Sequence, residues 1–207
     1  MPAKKLLRFF AVLSGAIILA SCADPLAPTL SAPTRVDGSH NSGPNGLGSA
    51  LGSATDAAGL ELRAIWWSKH HKSVIRVSKT IGPDGGTISI PETGLRVEFP
   101  AGSLGSALTI TVTADDKYVA YKMEPSGTRF LKDVTVTQSL GTTELRGSPL
   151  RSLLYAAYIA DDNIKLSGKV PVLEIEPSKT IFSPLSGLPE AQVWVIRHFS
   201  RYMLASG

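Results

Sequence analysis

Between Thr87 and Thr137 the apolar residues recur at every second position. Ile88 and Ile90 alternate with Thr87 and Ser89, and Leu95, Val97 and Phe99 with Arg96 and Glu98. Leu108, Ile110 and Val112 alternate with Thr109, Thr111 and Thr113, and Val134 and Val136 with Thr135 and Thr137. Successive side chains of an extended chain point to opposite faces, so this period describes strands buried on one face. Valine, isoleucine and threonine fill many of these positions; their branched Cβ packs well on a pleated surface. The breaks carry turn chemistry: Gly82-Pro-Asp-Gly-Gly86, Pro91-Glu-Thr-Gly94, Pro100-Ala-Gly102, Pro125-Ser-Gly127 and Asp161-Asp-Asn163. Short strands at this spacing predict an all-β fold, an antiparallel sandwich or barrel. No long stretch after residue 21 has a helical period, and the roughly 148 residues from 60 to 207 suffice for a two-sheet core.

The first 21 residues read as an address. Lys4, Lys5 and Arg8 open the chain, and an uncharged apolar run follows from Phe9 to Ala20. As a helix that run would span roughly 18 Å against ~30 Å of hydrocarbon, too short for a membrane span and suited to a signal peptide. It ends in Leu19-Ala20-Ser21-Cys22, which resembles the bacterial lipobox. The resemblance implies cleavage before Cys22 and a diacylglyceryl group on its thiol. Two or more acyl chains hold a protein stably at a membrane, where one does not. Cys22 is the chain's single cysteine, so an intramolecular disulfide is excluded. Ala23, not aspartate, follows it. In the lipoprotein sorting rule this favours the outer membrane where a cell has one.

The charge belongs to the address as well. The whole chain carries a formal +4, but removing residues 1–21 removes three positive charges and no negative one, leaving 18 against 17. No basic patch with interleaved aromatics remains, so nucleic acid is not an expected partner. Residues 22–59 are rich in Ala, Pro, Gly, Ser and Thr and repeat Leu47-Gly-Ser-Ala50 as Leu51-Gly-Ser-Ala54. This composition predicts a flexible linker, His40 included, with an end-to-end distance of roughly 30–36 Å. The expected organisation is therefore a signal peptide over 1–21, a lipid-anchored tether over 22–59 and a β domain over 60–207.

Gly85 to Leu104 carry a second resemblance. The run Gly-Gly-Thr-Ile-Ser-Ile-Pro-Glu-Thr-Gly-Leu-Arg-Val-Glu-Phe-Pro-Ala-Gly-Ser-Leu resembles the opening of a ZU-five domain, the β-sandwich of zonula-occludens proteins, Unc-five receptors and ankyrins. The strand Leu108–Thr113 and Pro125-Ser-Gly-Thr-Arg-Phe130 also fit. The likeness is closest from Ser78 to Gln138, loose over 140–190, and implies a core of about 78–207. It leaves 60–77 as a candidate added strand, and it implies a sandwich with protein-interaction roles.

Four groups of residues are candidates for chemistry. Some ZU-five proteins cleave themselves between Phe and Ser of a His-Phe-Ser triplet, which the resemblance places at His198, Phe199 and Ser200. Ser200 would attack the Phe199 carbonyl with His198 as base. On one strand His198 and Ser200 share a face. The alternative is an ordinary strand with Phe199 in the core, apolar on both faces through Val193, Trp194, Val195 and Ile196. Cleavage would detach only Ser200 to Gly207.

Trp66 and Trp67, beside His70 and His71, suggest glycan or metal binding. Adjacent strand residues face opposite ways, so each pair offers one member to a single site. The expected arrangement is a half-buried tryptophan and a solvated histidine, with one exposed tryptophan free to stack on a sugar. Glu174 and Glu176 share a strand face about 6.5–7 Å apart. A carboxylate pair can do acid/base work on glycosides, but the alternation predicts a charged outer face with Ile175 turned inward. Asp115-Asp116 and Asp161-Asp162 read as turns. No metal or cofactor motif stands in the chain. The expectation is a non-enzymatic interaction module binding a protein or envelope component.

Overall fold

A computed structural model describes residues 55–159 and 164–207. The signal segment, Cys22, Ala23 and most of the expected tether therefore lie outside the described residues, as do Asp161, Asp162 and Asn163. The described chain is an antiparallel β-sandwich of twelve strands and one 3-10 turn, Leu140–Thr142. The strands are β1 (Thr55–Ala64), β2 (Ile75–Ile81), β3 (Gly86–Ile90), β4 (Leu95–Phe99), β5 (Leu108–Ala114) and β6 (Ala120–Glu124), then β7 (Arg129–Ser139), β8 (Leu154–Ile159), β9 (Lys169–Glu176), β10 (Ser178–Phe182), β11 (Pro189–His198) and β12 (Arg201–Ser206). The larger sheet runs β1-β9-β8-β12-β6-β5-β2 and the smaller β10-β11-β7-β4-β3. Among the described residues no helix is long and apolar enough to cross a membrane.

The alternating runs are the strands the sequence predicts. Ile88, Ile90, Leu95, Val97, Phe99, Ile110, Val112, Val134 and Val136 are all buried between the sheets, in one core with Tyr121, Met123, Trp194, Ile196, Tyr202 and Leu204. The Gly-Gly turn has a steric reason. Gly85 sits at φ +79°, and a Cβ there would stand 2.3 Å from the Phe99 carbonyl oxygen. Only glycine adopts that backbone with nothing to displace.

β1 opens at Thr55, ahead of the boundary drawn at 60. Its pairing with β9 starts at Thr55↔Ile175 and is interrupted between Asp56 and Leu60, where Gly59 takes φ +88°. The linker-like composition conceals this half of the strand, because its stabilisation comes from backbone pairing and the burial of small Ala57. β1 also pairs with β12, through Arg63↔Ser206 and Ala64↔Ala205. Strands β1, β9, β8 and β12 thus close on themselves around a second core of Leu62, Ala64, Ala157, Ile159, Val170, Val172, Met203 and Ala205. The alanines let the backbones approach closely. Strand β12 is consequently buried on both faces, with Tyr202 and Leu204 in the main core and Met203 and Ala205 in the second.

Candidate functional site

Among the described residues the chain passes from one sheet to the other six times, and two of these crossings are neighbours. One is Pro177, between β9 and β10; the other is Phe199-Ser200, between β11 and β12. The last residue of each preceding strand is polar, Glu176 on β9 and His198 on β11. Together with Glu174 they converge, with one ligand atom from each within 4.8 Å of the others. A cavity of about 210 Å³ lies over them, lined also by Arg129, Pro177, Val195 and Arg197.

This corrects the outer face expected for the glutamates. Ile175 does turn toward the second core. The opposite face of β9, however, is not solvent there. Glu174 pairs with Tyr158 and Glu176 with Ala156 on β8, whose side chains Tyr158 and Ala156 belong to the main core side. Glu176 is only 6% exposed. Its backbone lies in the β8–β9 ladder, while its carboxylate makes no hydrogen bond or ion pair among the described residues. Burial, and then the neighbouring Glu174 carboxylate, push its pKa up to about 7, against a smaller opposing pull from Arg197. Strand alternation alone misses this, because the face it calls outer becomes inner where the other sheet begins.

Tyr202 and Tyr158 hold His198 in place. The Tyr202 hydroxyl donates to the His198 carbonyl oxygen at 2.8 Å and lies 3.3 Å from Nδ1 of the same residue. The Tyr158 ring meets the imidazole edge-on at 5.2 Å. Burial and the nearby Glu176 raise the Tyr202 pKa, keeping its hydrogen in place. A hydroxyl has one hydrogen; with it on the carbonyl, the oxygen is left to accept from Nδ1–H.

His198, Phe199 and Ser200 do not form one strand. Strand β11 ends at His198, and Phe199 and Ser200 span the link to β12. The shared strand face expected for His198 and Ser200 is therefore replaced by a sheet-to-sheet crossing. Phe199 is fully buried and meets Phe130 edge-on at 4.7 Å and Phe99 at 6.1 Å. The Phe199 carbonyl accepts from Gly127 N–H at 3.0 Å and the Ser200 carbonyl from Met123 N–H at 2.9 Å. Strand β12, which follows, lies between β8 and β6. A break at Phe199–Ser200 would leave residues 200–207 embedded in the sheet, not detached.

The two tryptophans divide as the alternation requires. Trp67 is buried; its indole N–H donates to the Asp115 carbonyl at 2.8 Å, and its ring meets His71 at 5.2 Å and Tyr121 at 6.1 Å. Trp66 is 46% exposed, with Tyr118 edge-on at 5.8 Å and His70 at 6.2 Å. Trp66, Ser68, His70, Thr143, Glu144 and Arg146 line an open groove of about 650 Å³. Glu144 is fixed there, accepting from Arg63 at 2.8 Å and from Trp66 N–H at 3.1 Å. The Asp115-Asp116 turn is as expected, with Asp115 Oδ1 accepting from Lys117 and Tyr118 N–H at 2.9 Å each. No family model matches the chain, and no curated protein matches it.

Proposed function

We propose that this chain is a membrane-anchored lipoprotein, held through a lipid on Cys22, that presents a non-enzymatic binding module on the cell envelope. The lipobox Leu19-Ala20-Ser21-Cys22 supports the anchor and Ala23 the outer membrane. The observation that carries the binding reading is the half-exposed Trp66 on its open, polar-rimmed groove. An aromatic face framed by Ser68, His70, Glu144 and Arg146 suits a sugar ring, whose C–H face stacks while its hydroxyls meet polar groups. Envelope glycan, peptidoglycan included, is the ligand class. Trp67 contributes from below, by fixing the segment that carries Trp66.

The test is tryptophan fluorescence of the full chain in detergent, titrated with soluble peptidoglycan fragments. Saturable quenching that Trp66→Ala abolishes is the expected result. Quenching unchanged in Trp66→Ala, or none in the wild type, overturns the glycan reading. Incorporation of labelled fatty acid into the wild type and not into Cys22→Ala checks the anchor.

A second reading, self-processing at Phe199–Ser200, is favoured by the Gly127 N–H on the Phe199 carbonyl, placed to stabilise charge on that oxygen. The Ser200 hydroxyl would replace the amide by an ester, and water would hydrolyse it. Denaturing mass spectrometry decides. A wild-type species ending at Phe199 and absent from Ser200→Ala supports cleavage; full-length mass in both rejects it.

A further inference from the structure

We propose that Glu174, Glu176 and His198 form a site for one divalent transition-metal ion of the zinc class. The ligand set is the first argument. Two carboxylates and an imidazole, each with an atom within 4.8 Å of the other two, provide the mixed oxygen and nitrogen donors that such ions take. Calcium would favour oxygen alone.

The second argument is Glu176 itself. Glu176 is a buried residue, 6% exposed, whose carboxylate has no hydrogen bond or ion pair among the described residues, and such a group is costly to ionise in a metal-free protein. It lines the cavity shared with Glu174 and His198. Arg129 and Arg197 line the same cavity without an ion pair to Glu176: Arg197 is 3.1 Å from Asp133 and mostly exposed, and Arg129 is exposed on β7 as the cross-strand partner of His198. A small divalent ion would satisfy both carboxylates at once.

The third argument is the orientation of the histidine. The Tyr202 hydroxyl donates to the His198 carbonyl and stands 3.3 Å from Nδ1, and the Tyr158 ring packs on the imidazole edge-on, outer support of the kind that metal-binding histidines have. Three protein ligands leave a coordination position open toward the cavity. The ion would also tie β9 to β11 beside two of the points where the chain changes sheet.

The experiment is isothermal titration of the full chain in detergent, stripped with EDTA and dialysed, with Zn²⁺ as the probe. One saturable Zn²⁺ per chain is expected, weakened on the order of 100-fold in Glu174→Gln and in Glu176→Gln, in line with the sensitivity of metal sites to altered ligand shells. His70→Ala with His71→Ala should leave it unchanged. Zn²⁺ should raise the unfolding midpoint of the wild type and of the His70/His71 variant, and not that of the glutamine variants. The midpoint of each metal-free variant shows that it is folded, and the half-exposed position of Glu174 makes Glu174→Gln the safer of the two. No saturable Zn²⁺ binding, equal affinity in the glutamine variants, loss on removal of His70 and His71, or binding of Ca²⁺ alone would each overturn the proposal.

Discussion

The buried Glu176 gives a pH dependence that can be worked out in advance for the metal-free protein. Its pKa is pushed up to about 7 in the fold, against 4.5 for an unperturbed glutamate, taken as the unfolded state. Between these values the folded state binds more protons than the unfolded state, so stability falls as pH rises. The loss begins near pH 4.5 and is complete above pH 7. A tenfold change in proton affinity is about 1.4 kcal/mol, so wild type loses roughly 3 kcal/mol across the window. Glu176→Gln keeps the shape and cannot ionise. The assay is urea unfolding of wild type and variant at pH 4.5 and 8.5, with EDTA present. Taking the difference between the two proteins cancels the groups that do not interact with Glu176; those that face it, Glu174, Arg197 and Tyr202 among them, contribute to the measured difference through that interaction. The variant should gain roughly 3 kcal/mol on wild type between the two pH values. A difference that does not move with pH would refute the burial argument.

Other predictions follow from packing. Trp67→Ala should cost about 3–5 kcal/mol in chemical unfolding, because it empties a buried aromatic site, while Trp66→Ala should cost far less. Tyr121→Phe should cost about 1–3 kcal/mol by the same measurement, since it strips the fully buried Gln138 Oε1 of the hydroxyl that donates to it at 2.6 Å. Gly85→Ala should lower the thermal midpoint, with about 1–3 kcal/mol from the left-handed backbone alone and more from the clash with Phe99.

The repeated Ile, Val, Leu and Thr alternation already specified strands, because a period of two puts one face in the core whatever the partner strand is. The turns around Gly85 and Gly94 were legible for a similar reason: φ is +79° and +72° there, and glycine alone takes those values freely. The split of Trp66 from Trp67 was also local, following from opposite faces of neighbouring residues. The resemblance of Leu19-Ala20-Ser21-Cys22 to a lipobox is carried by consecutive residues and needs no fold at all.

Tertiary structure decided the rest. The start of β1 depends on β9, a partner more than a hundred residues away, and small residues such as Ala57 carry no pattern of their own. Whether the far face of β9 meets water depends on where the smaller sheet ends, so alternation could group Glu174 with Glu176 but could not bury Glu176. His198 comes to them from another sheet, and its separation from Ser200 by a crossing follows from β11 and β12 belonging to different layers. A strand's sequence fixes which side chains share a face, whereas what that face touches is set by strand order, and strand order is fixed only when the whole core closes.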